Sequence, residues 1–155
     1  MNQIALFKGM LHSKTGLLIG LGTLCDVVHA AVYVEADGRW WHASESLGCV
    51  GLMDLDKYRN RWCFSYPFEG DLSDWLEKNR QCDYDWESIW GWVLYRLSFG
   101  TLWRDNANKL ICFEFAESAL SAGAGYPALP RPLAGCHLRE AARSGIRFSR
   151  FGALL

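Results

Sequence analysis

The chain has 155 residues, of which half are hydrophobic and 14% are aromatic, and its formal net charge is −1. This length is typical of one domain with a core of its own, so we expect a single domain over residues 1–155 and exclude a disordered chain. A net charge this close to zero generates no overall field that attracts nucleic acid or an anionic membrane, so neither is expected as a partner.

The first twenty residues lack the pattern of a targeting segment. Their apolar stretch is interrupted by His12, Ser13 and Lys14, whereas a secretory signal has a charged start and an unbroken apolar run. No stretch of the sequence reaches the ~18 apolar residues of a membrane helix. We therefore expect a protein made in the cytoplasm without a transmembrane segment, which reaches a virion or the cell exterior only through a dedicated delivery machine.

The six cysteines are widely spaced and include no C-x-x-C pair, which argues against a zinc ribbon or a thioredoxin-type motif. A zinc site can be drawn from Cys25, His29, His42 and Cys49, but its Cys-x3-His spacing is unlike that of paired zinc knuckles. In a reducing compartment we therefore expect free thiols, no metal and no cofactor.

In chain order, the first half of the sequence predicts mainly short strands. Residues 17–19 are predicted as a strand, 27–34 as a second strand, and 40–43 as its partner across the turn signal Asp37-Gly38. The resulting hairpin carries His29 and His42. Further along, the pattern predicts a strand at 50–53, a helical turn at 54–59 and a strand at 62–66 that ends at Pro67.

Beyond residue 70 the apolar spacing changes to that of helices, over 71–80, 86–97, 111–120 and 137–144. In the second of these segments, five apolar residues form a stripe that we expect to face the core: Trp86, Ile89, Trp90, Val93 and Leu94. Strands followed by helices predict an α+β fold, in which a small antiparallel sheet packs against helices.

The C-terminal segment, residues 131–155, is basic. Its arginines are accompanied by a single acidic residue, Glu140, and they are Arg131, Arg139, Arg143, Arg147 and Arg150. Such a segment is either a solvated face or a docking surface for a protein partner, for example tail or secretion machinery.

The hairpin brings its two histidines to one side of the sheet. Side chains alternate along a strand, so a hairpin loop with an even number of residues points His29 and His42 the same way. A two-residue loop at Asp37-Gly38 pairs Tyr33 with His42 and leaves His29 on the order of 13 Å away. A four-residue loop over 34–37 sets the two histidines opposite each other, so a working pair needs the wider loop or a bulge.

Cys112 lies at the predicted start of a helix. Unpaired backbone N–H groups and the helix dipole favour an anion there, so we expect a lowered thiol pKa and a thiolate near neutral pH. The backbone N–H of Cys112 is also positioned to bind the oxyanion of an acyl-transfer intermediate. A thiol, a base and an orienting ring are the parts of a nucleophilic site.

These segments resemble a known family of cysteine peptidases. His29-Ala-Ala-Val-Tyr-Val34 followed by His42-Ala-Ser44 is similar to the paired histidine blocks of the NlpC-type, papain-like peptidases. Because the cysteine comes last, the order is similar to the circularly permuted branch, the YiiX-like and lecithin:retinol acyltransferase-like proteins. Tyr84-Asp85 and residues 111–114 resemble further blocks of the YiiX-like members, although Phe113 replaces a small serine.

The resemblance, which covers about residues 16–120, implies a permuted papain-like fold and a site in which Cys112 is the nucleophile, His29 the base and His42 the orienting residue. By the same resemblance Tyr84 assists the oxyanion. It implies a thiol hydrolase that cleaves an amide bond in peptidoglycan stem peptides, associated with a phage tail or delivered by another machine. Two alternatives stay open: a non-enzymatic structural or protein-binding component built on a papain-like shell, and a hydrolase or acyltransferase acting on lipid or acyl amides.

Overall fold

The computed structural model describes residues 1–9, 14–102, 108–127, 129, 134–141, 145 and 147–155. Its strands are β1 (Asn2–Lys8), β2 (Val27–Val34), β3 (Arg39–Ser44), β4 (Cys49–Leu52), β5 (Trp62–Phe68) and β6 (Arg147–Arg150). Its helices are α1 (Lys14–Thr23), α2 (Leu55–Tyr58), α3 (Ser73–Asn79), α4 (Trp86–Leu97), α5 (Cys112–Ala124) and α6 (Gly135–Ala141), and a 3-10 turn follows at Phe151–Ala153.

The six strands form one antiparallel sheet in the order β4-β3-β2-β1-β5-β6. The predicted α+β class is therefore confirmed at the level of an antiparallel sheet with helices. β1 lies at the centre, between β2 and β5, and its residues from Ile4 to Phe7 are all buried. A strand covered on both faces lacks the alternation that identifies a strand in a sequence, and β1 was not predicted.

The two faces of the sheet are covered differently. On one face, α5 packs across β2 and β3, and α1, α4 and α6 complete the main core. On the other face, a smaller aromatic cluster is formed by Phe7, Trp40, Tyr58 and Phe151. Successive residues of β2 point into different cores: Ala30 packs in the main core beneath the helices, and Ala31 packs in the smaller aromatic cluster. None of the helices in the described chain is both long and apolar enough to span a membrane.

Three predictions about local structure were wrong. Residues 17–19 belong to helix α1 rather than to a strand, because the small, apolar segment packs on α4, with Gly22 close to Trp92. In α4 the buried side includes Ile89 and Trp92, whereas Trp86 is 45% exposed and Trp90 56% exposed. The stripe of five apolar residues therefore does not face the core as a unit. β5 also continues through Pro67 to Phe68.

Candidate functional site

His29 and His42 form a direct hydrogen bond across the hairpin. Nε2 of His29 lies 2.8 Å from Nδ1 of His42, so one ring donates and the other accepts. The hairpin loop spans four residues, 35–38, rather than either alternative considered from the sequence. In the described chain the β2–β3 ladder comprises three pairs: Val32↔Trp41, Tyr33↔Trp40 and Val34↔Arg39.

The register of this ladder explains how the rings meet. Continued beyond Val32, it places His42 opposite Ala31, which is two residues from His29 along the strand. Such diagonal positions are about 7–8 Å apart, a gap that two imidazole rings can span. Within the described residues, the pairing of β2 with β3 ends before it reaches either histidine. The two rings therefore connect the strands where backbone pairing has stopped.

The histidine pair lies in the smaller, aromatic core. The ring of Tyr58 stacks on His29 with a centroid distance of 5.4 Å, and Phe7 packs at 5.9 Å. Burial, followed by the charges of His42, Arg61 and Lys57, lowers the pKa of His29 well below its usual value. Burial and Lys57 lower the pKa of His42 to about 4. Both rings are therefore neutral at pH 7, and a neutral imidazole can accept a proton.

Cys112 is the first residue of α5, as the sequence predicted for the start of this helix. The main-chain N–H of Ile111 donates to the carboxylate of Glu114 at 3.1 Å, so the helix begins with one of its N-terminal donors satisfied by its own side chain. The apolar residues that follow pack α5 onto β2 and β3. This packing brings the Cys112 thiol to the hairpin that carries both histidines.

The thiol is buried and protonated, contrary to the expectation of a thiolate. Burial raises the pKa of Cys112 to about 12, even though hydrogen bonding from the main chain of Ala30, Phe113 and Cys112 itself favours the charged form. The side chain is 1% exposed. Helix-terminal N–H groups are thus present around the sulfur, but in this closed arrangement desolvation outweighs them.

The sulfur and the imidazole approach β2 from its two faces. The thiol hydrogen-bonds to the main chain of Ala30, which directly follows His29, and it belongs to the main core beneath the helices. His29 packs with Phe7 and Tyr58 on the other side of the strand. The thiol and the imidazole therefore lie on opposite faces of β2, near the segment where its described pairing with β3 ends. Charge on Cys112 also raises the pKa of Tyr58, so the thiol is electrostatically coupled to the ring stacked on His29.

A cavity of about 110 Å³ lies beside the histidine pair. Its walls include His29, Ser44, Tyr58, Arg61 and Tyr84. Cys112 is not among the described residues that line this cavity. A substrate that occupies it therefore faces the proposed base, and it reaches the thiol only after a displacement of the side chains or strand between them.

Tyr84 and Asp85 have separate structural roles. Tyr84 is buried in the cavity wall, and burial raises the pKa of its hydroxyl. The Asp85 carboxylate caps α4, because it accepts hydrogen bonds from the main-chain N–H of Glu87 at 2.9 Å and from the hydroxyl of Ser88 at 2.6 Å. The oxyanion role of Tyr84 stays a prediction, and Asp85 fixes the start of the helix that follows.

Three residues of the site were not identified from the sequence. They are Lys57, Tyr58 and Arg61, which follow the N-cap Asp54 in and after the short helix α2. The cationic groups of Arg61 and Lys57 lie 5.1 and 5.9 Å from the Tyr58 ring centroid. The sequence spacing of these three residues matches no known functional motif. Only the packing of α2 against the sheet places them beside the histidines.

The remaining candidate groups are separated from the site or from one another. The side chains of Cys25 and Cys136 hydrogen-bond to each other, and among the described residues no group of three or more histidine, cysteine or acidic side chains is arranged to hold a metal ion. In the basic C-terminal segment, Arg139 binds Asp26 at 3.0 Å and Arg150 lies over Trp62. Arg131 and Arg143 lie outside the described residues.

No protein-family model matches this chain, and no curated protein matches its sequence. The arguments about function therefore depend on the site itself and on the resemblance of its motifs.

Proposed function

We propose that this protein is a thiol hydrolase that cleaves an amide bond, with Cys112 as nucleophile, His29 as base and His42 as the residue that orients it. The observation that carries the proposal is the hydrogen-bonded His29–His42 pair on the strand whose next residue, Ala30, holds the Cys112 thiol through its main chain. A sulfur at a helix N-terminus and a neutral imidazole on the strand next to it supply a nucleophile and a proton acceptor, once the site opens to bring them into contact.

The proposed reaction proceeds through an acyl thioester. His29 accepts the thiol proton as the sulfur attacks the carbonyl carbon, and the resulting oxyanion accepts a hydrogen bond from the backbone N–H of Cys112. The C–N bond then breaks, and His29 protonates the departing amine. Water attacks the thioester with His29 again as base, and the acid product leaves as the thiol regains its proton. Tyr84 donates its hydroxyl to the oxyanion in this scheme.

The neutral state of both partners favours general-base activation over a preformed thiolate–imidazolium pair. A thiol with a pKa of about 12 and a histidine with a pKa well below its usual value exchange a proton only as the carbonyl is attacked. The same burial requires the site to open before the carbonyl reaches the sulfur. Substrate binding in the adjoining cavity is the event that we propose produces this opening.

For the substrate class we propose peptidoglycan stem peptides, on the resemblance to the permuted NlpC-type peptidases. The protein then reaches its substrate as part of a phage tail or through another delivery machine. Incubation with purified peptidoglycan, followed by mass spectrometry of the released peptides, tests this directly. We expect new peptide termini with the native protein and none with Cys112→Ala.

The matched control is Cys25→Ala, which also replaces a buried thiol whose pKa is raised to about 12, but one whose side chain hydrogen-bonds to Cys136. We expect it to release peptides at the native rate. Equal activity of Cys112→Ala and the native protein would eliminate the proposed nucleophile, and release of peptides by neither protein would contradict the substrate class.

A second function is favoured by one specific observation, the 1% exposure of Cys112. A papain-like shell that serves only as a structural or protein-binding component has no need for an accessible thiol. The peptidoglycan experiment tests this alternative in one direction, because release of peptides by the native protein but not by Cys112→Ala excludes a non-enzymatic shell.

A further inference from the structure

A large groove adjoins the histidine cavity at the same end of the sheet. Its volume is about 880 Å³, and its described lining comprises Lys8, Gly9, Asp26, Lys57, Asn60, Arg61, Trp62, Phe148 and Arg150. We call this the cationic groove. It shares Lys57 and Arg61 with the cavity that contains His29. The groove and the cavity therefore adjoin at these two side chains, and a molecule bound in the groove lies next to the cavity that contains the proposed base.

The charges in the cationic groove are unbalanced. Four of its described lining residues are cationic and one, Asp26, is acidic. The Asp26 carboxylate is already engaged by Lys8 at 2.9 Å and by Arg139 at 3.0 Å. It therefore does not balance the positive charges of Lys57, Arg61 and Arg150, of which Lys57 is also within electrostatic reach of Glu45 in the adjoining cavity. Like charges gathered at one surface repel one another, and a bound anion relieves that repulsion.

Arg61 is the most informative of these residues. Its Nε atom is buried and has no hydrogen-bond partner within the described chain. Its guanidinium lies 5.1 Å from the ring centroid of Tyr58, and burial lowers its pKa. A guanidinium that is partly desolvated and lacks a carboxylate partner has donors available for a ligand, and its planar fork fits a carboxylate.

The wall of the groove provides an apolar surface next to these charges. Trp62 and Phe148 stack with a centroid distance of 4.9 Å and an interplanar angle of 15°, and both are about half exposed. Arg150 lies 4.6 Å from the Trp62 ring centroid, and Lys8 lies 5.4 Å from that of Phe148. The groove therefore combines an apolar side wall with cationic groups, which suits a flexible chain that carries negative charge.

We propose that the cationic groove is a substrate subsite that binds a carboxylate of the peptide near the scissile amide, with Arg61 as the principal donor and Lys57 as a supporting charge. This inference rests on the proposed function, because it assigns the specificity of that same site. It requires a peptide substrate with a free carboxylate on the groove side of the bond that is cleaved. Amidation of that carboxylate removes the charge and retains the size.

The test measures binding in the Cys112→Ala background, where no turnover occurs. The probes are purified soluble stem peptides with free carboxylates and the same peptides after conversion of the carboxylates to amides. By titration calorimetry we expect the free acids to bind at least 10-fold more tightly. We expect Arg61→Gln to remove that difference and Lys57→Gln, a change at an exposed side chain, to reduce it about 3-fold.

Arg39→Gln is the control, since it removes the same charge at an exposed position at the other end of the hairpin. We expect this variant to bind both forms of the peptide within 2-fold of the affinities of the Cys112→Ala protein. Equal binding of the two forms, absent binding of both, or an equal loss in Arg39→Gln would each overturn the inference. Cleavage of both forms at equal rates leaves the hydrolase proposal intact while removing the subsite. Carboxylate binding through Arg61 without any cleavage by the native protein would support the anion-binding groove and contradict the hydrolase proposal.

Discussion

The 2.8 Å contact between Nε2 of His29 and Nδ1 of His42 joins two residues that the strand register offsets by two positions. The contact depends on the end of the β2–β3 ladder before either histidine, which lets the rings occupy the space between the strands. A hydrogen bond to one imidazole nitrogen determines which tautomer the ring adopts and which nitrogen is left to accept a proton. His42 is therefore placed to fix the tautomer of His29, and in the proposed reaction it orients the base rather than binding substrate.

The first prediction concerns this orienting contact. We expect His42→Ala to lower kcat by about 100-fold, the lower end of the effect of a well-positioned acid–base group, while KM changes less than 3-fold. The physical reason is loss of ring orientation rather than loss of a binding group. Steady-state kinetics on stem peptides measure both constants. A rise in KM with unchanged kcat would assign His42 to substrate binding instead.

The second prediction is that the protein becomes less stable on mild acidification because of the two histidines. Their pKa values are lower in the folded protein than the usual value near 6.5, so below that pH the unfolded chain binds more protons than the native one. The contribution of the two neutral histidines to the free energy of unfolding is therefore fully present above pH 7, and it is lost as the pH decreases towards about 4. Each histidine contributes a loss of about 1.4 kcal/mol per pH unit once the unfolded form is protonated.

Urea denaturation at pH 7, 6 and 5 measures this slope. His42→Asn removes one of the two titrating groups, so we expect a shallower slope for this variant than for the native protein. Equal free energies of unfolding at pH 7 and pH 5 would show that the buried imidazoles gain a proton in the native state as easily as they do in the unfolded chain.

The histidine hairpin is the part of the molecule that the sequence predicts best. Alternation of apolar residues on either side of Asp37-Gly38 identifies both strands, and parity of the loop places His29 and His42 on one face. The exact offset was not predictable, because loops of two or four residues are all compatible with the same turn signal. The start of α5 at Cys112 was also predicted, since apolar residues with helical spacing begin there.

Burial of Cys112 is what local sequence could not predict. Position at a helix N-terminus indicates a lowered thiol pKa, but the net shift depends on how tightly β2 and the helices pack around the sulfur. Lys57, Tyr58 and Arg61 were missed for a related reason. They approach the histidines through contacts between α2 and the sheet, and no spacing within residues 54–62 records those contacts.

The third prediction concerns the close approach of two chain segments at Gly70 and Gly123. Gly70 has a φ of +128°, and a Cβ atom there would lie 2.4 Å from the carbonyl oxygen of Gly123 in α5. We expect Gly70→Ala to lower the free energy of unfolding by about 4 kcal/mol, since neither backbone can move without disturbing α5. Chemical denaturation measures the change.

Gly38→Ala provides the control for backbone strain alone. Gly38 also has a positive φ, of +68°, but a Cβ atom there meets nothing within 4 Å. We expect this substitution to cost about 1 kcal/mol. Similar losses of unfolding free energy in the two variants would indicate that α5 is free to shift away from Gly70. Cys112, the first residue of α5, would then shift with it.

The fourth prediction is that Cys112 reacts slowly with iodoacetamide in the resting protein. With a pKa of about 12, the thiolate fraction at pH 7 is about 10⁻⁵, and a side chain that is 1% exposed gives the reagent no access without opening. We expect the partly buried Cys49 and Cys136 to be alkylated first at pH 7.5. Mass spectrometry of the alkylated peptides gives the rate at each position.

Two further measurements separate a closed active site from an inert one. If opening is fast, the Cys112 rate increases about 10-fold per pH unit between pH 7 and 9, because alkylation then follows the thiolate fraction. Stem peptides that bind and open the site increase the rate at constant pH, and we expect His29→Ala to leave this increase in place while abolishing turnover. Alkylation of Cys112 ahead of Cys49 in the absence of peptide would instead mean that the sulfur is exposed at rest, and that the closed arrangement around Ala30 is not the one populated in solution.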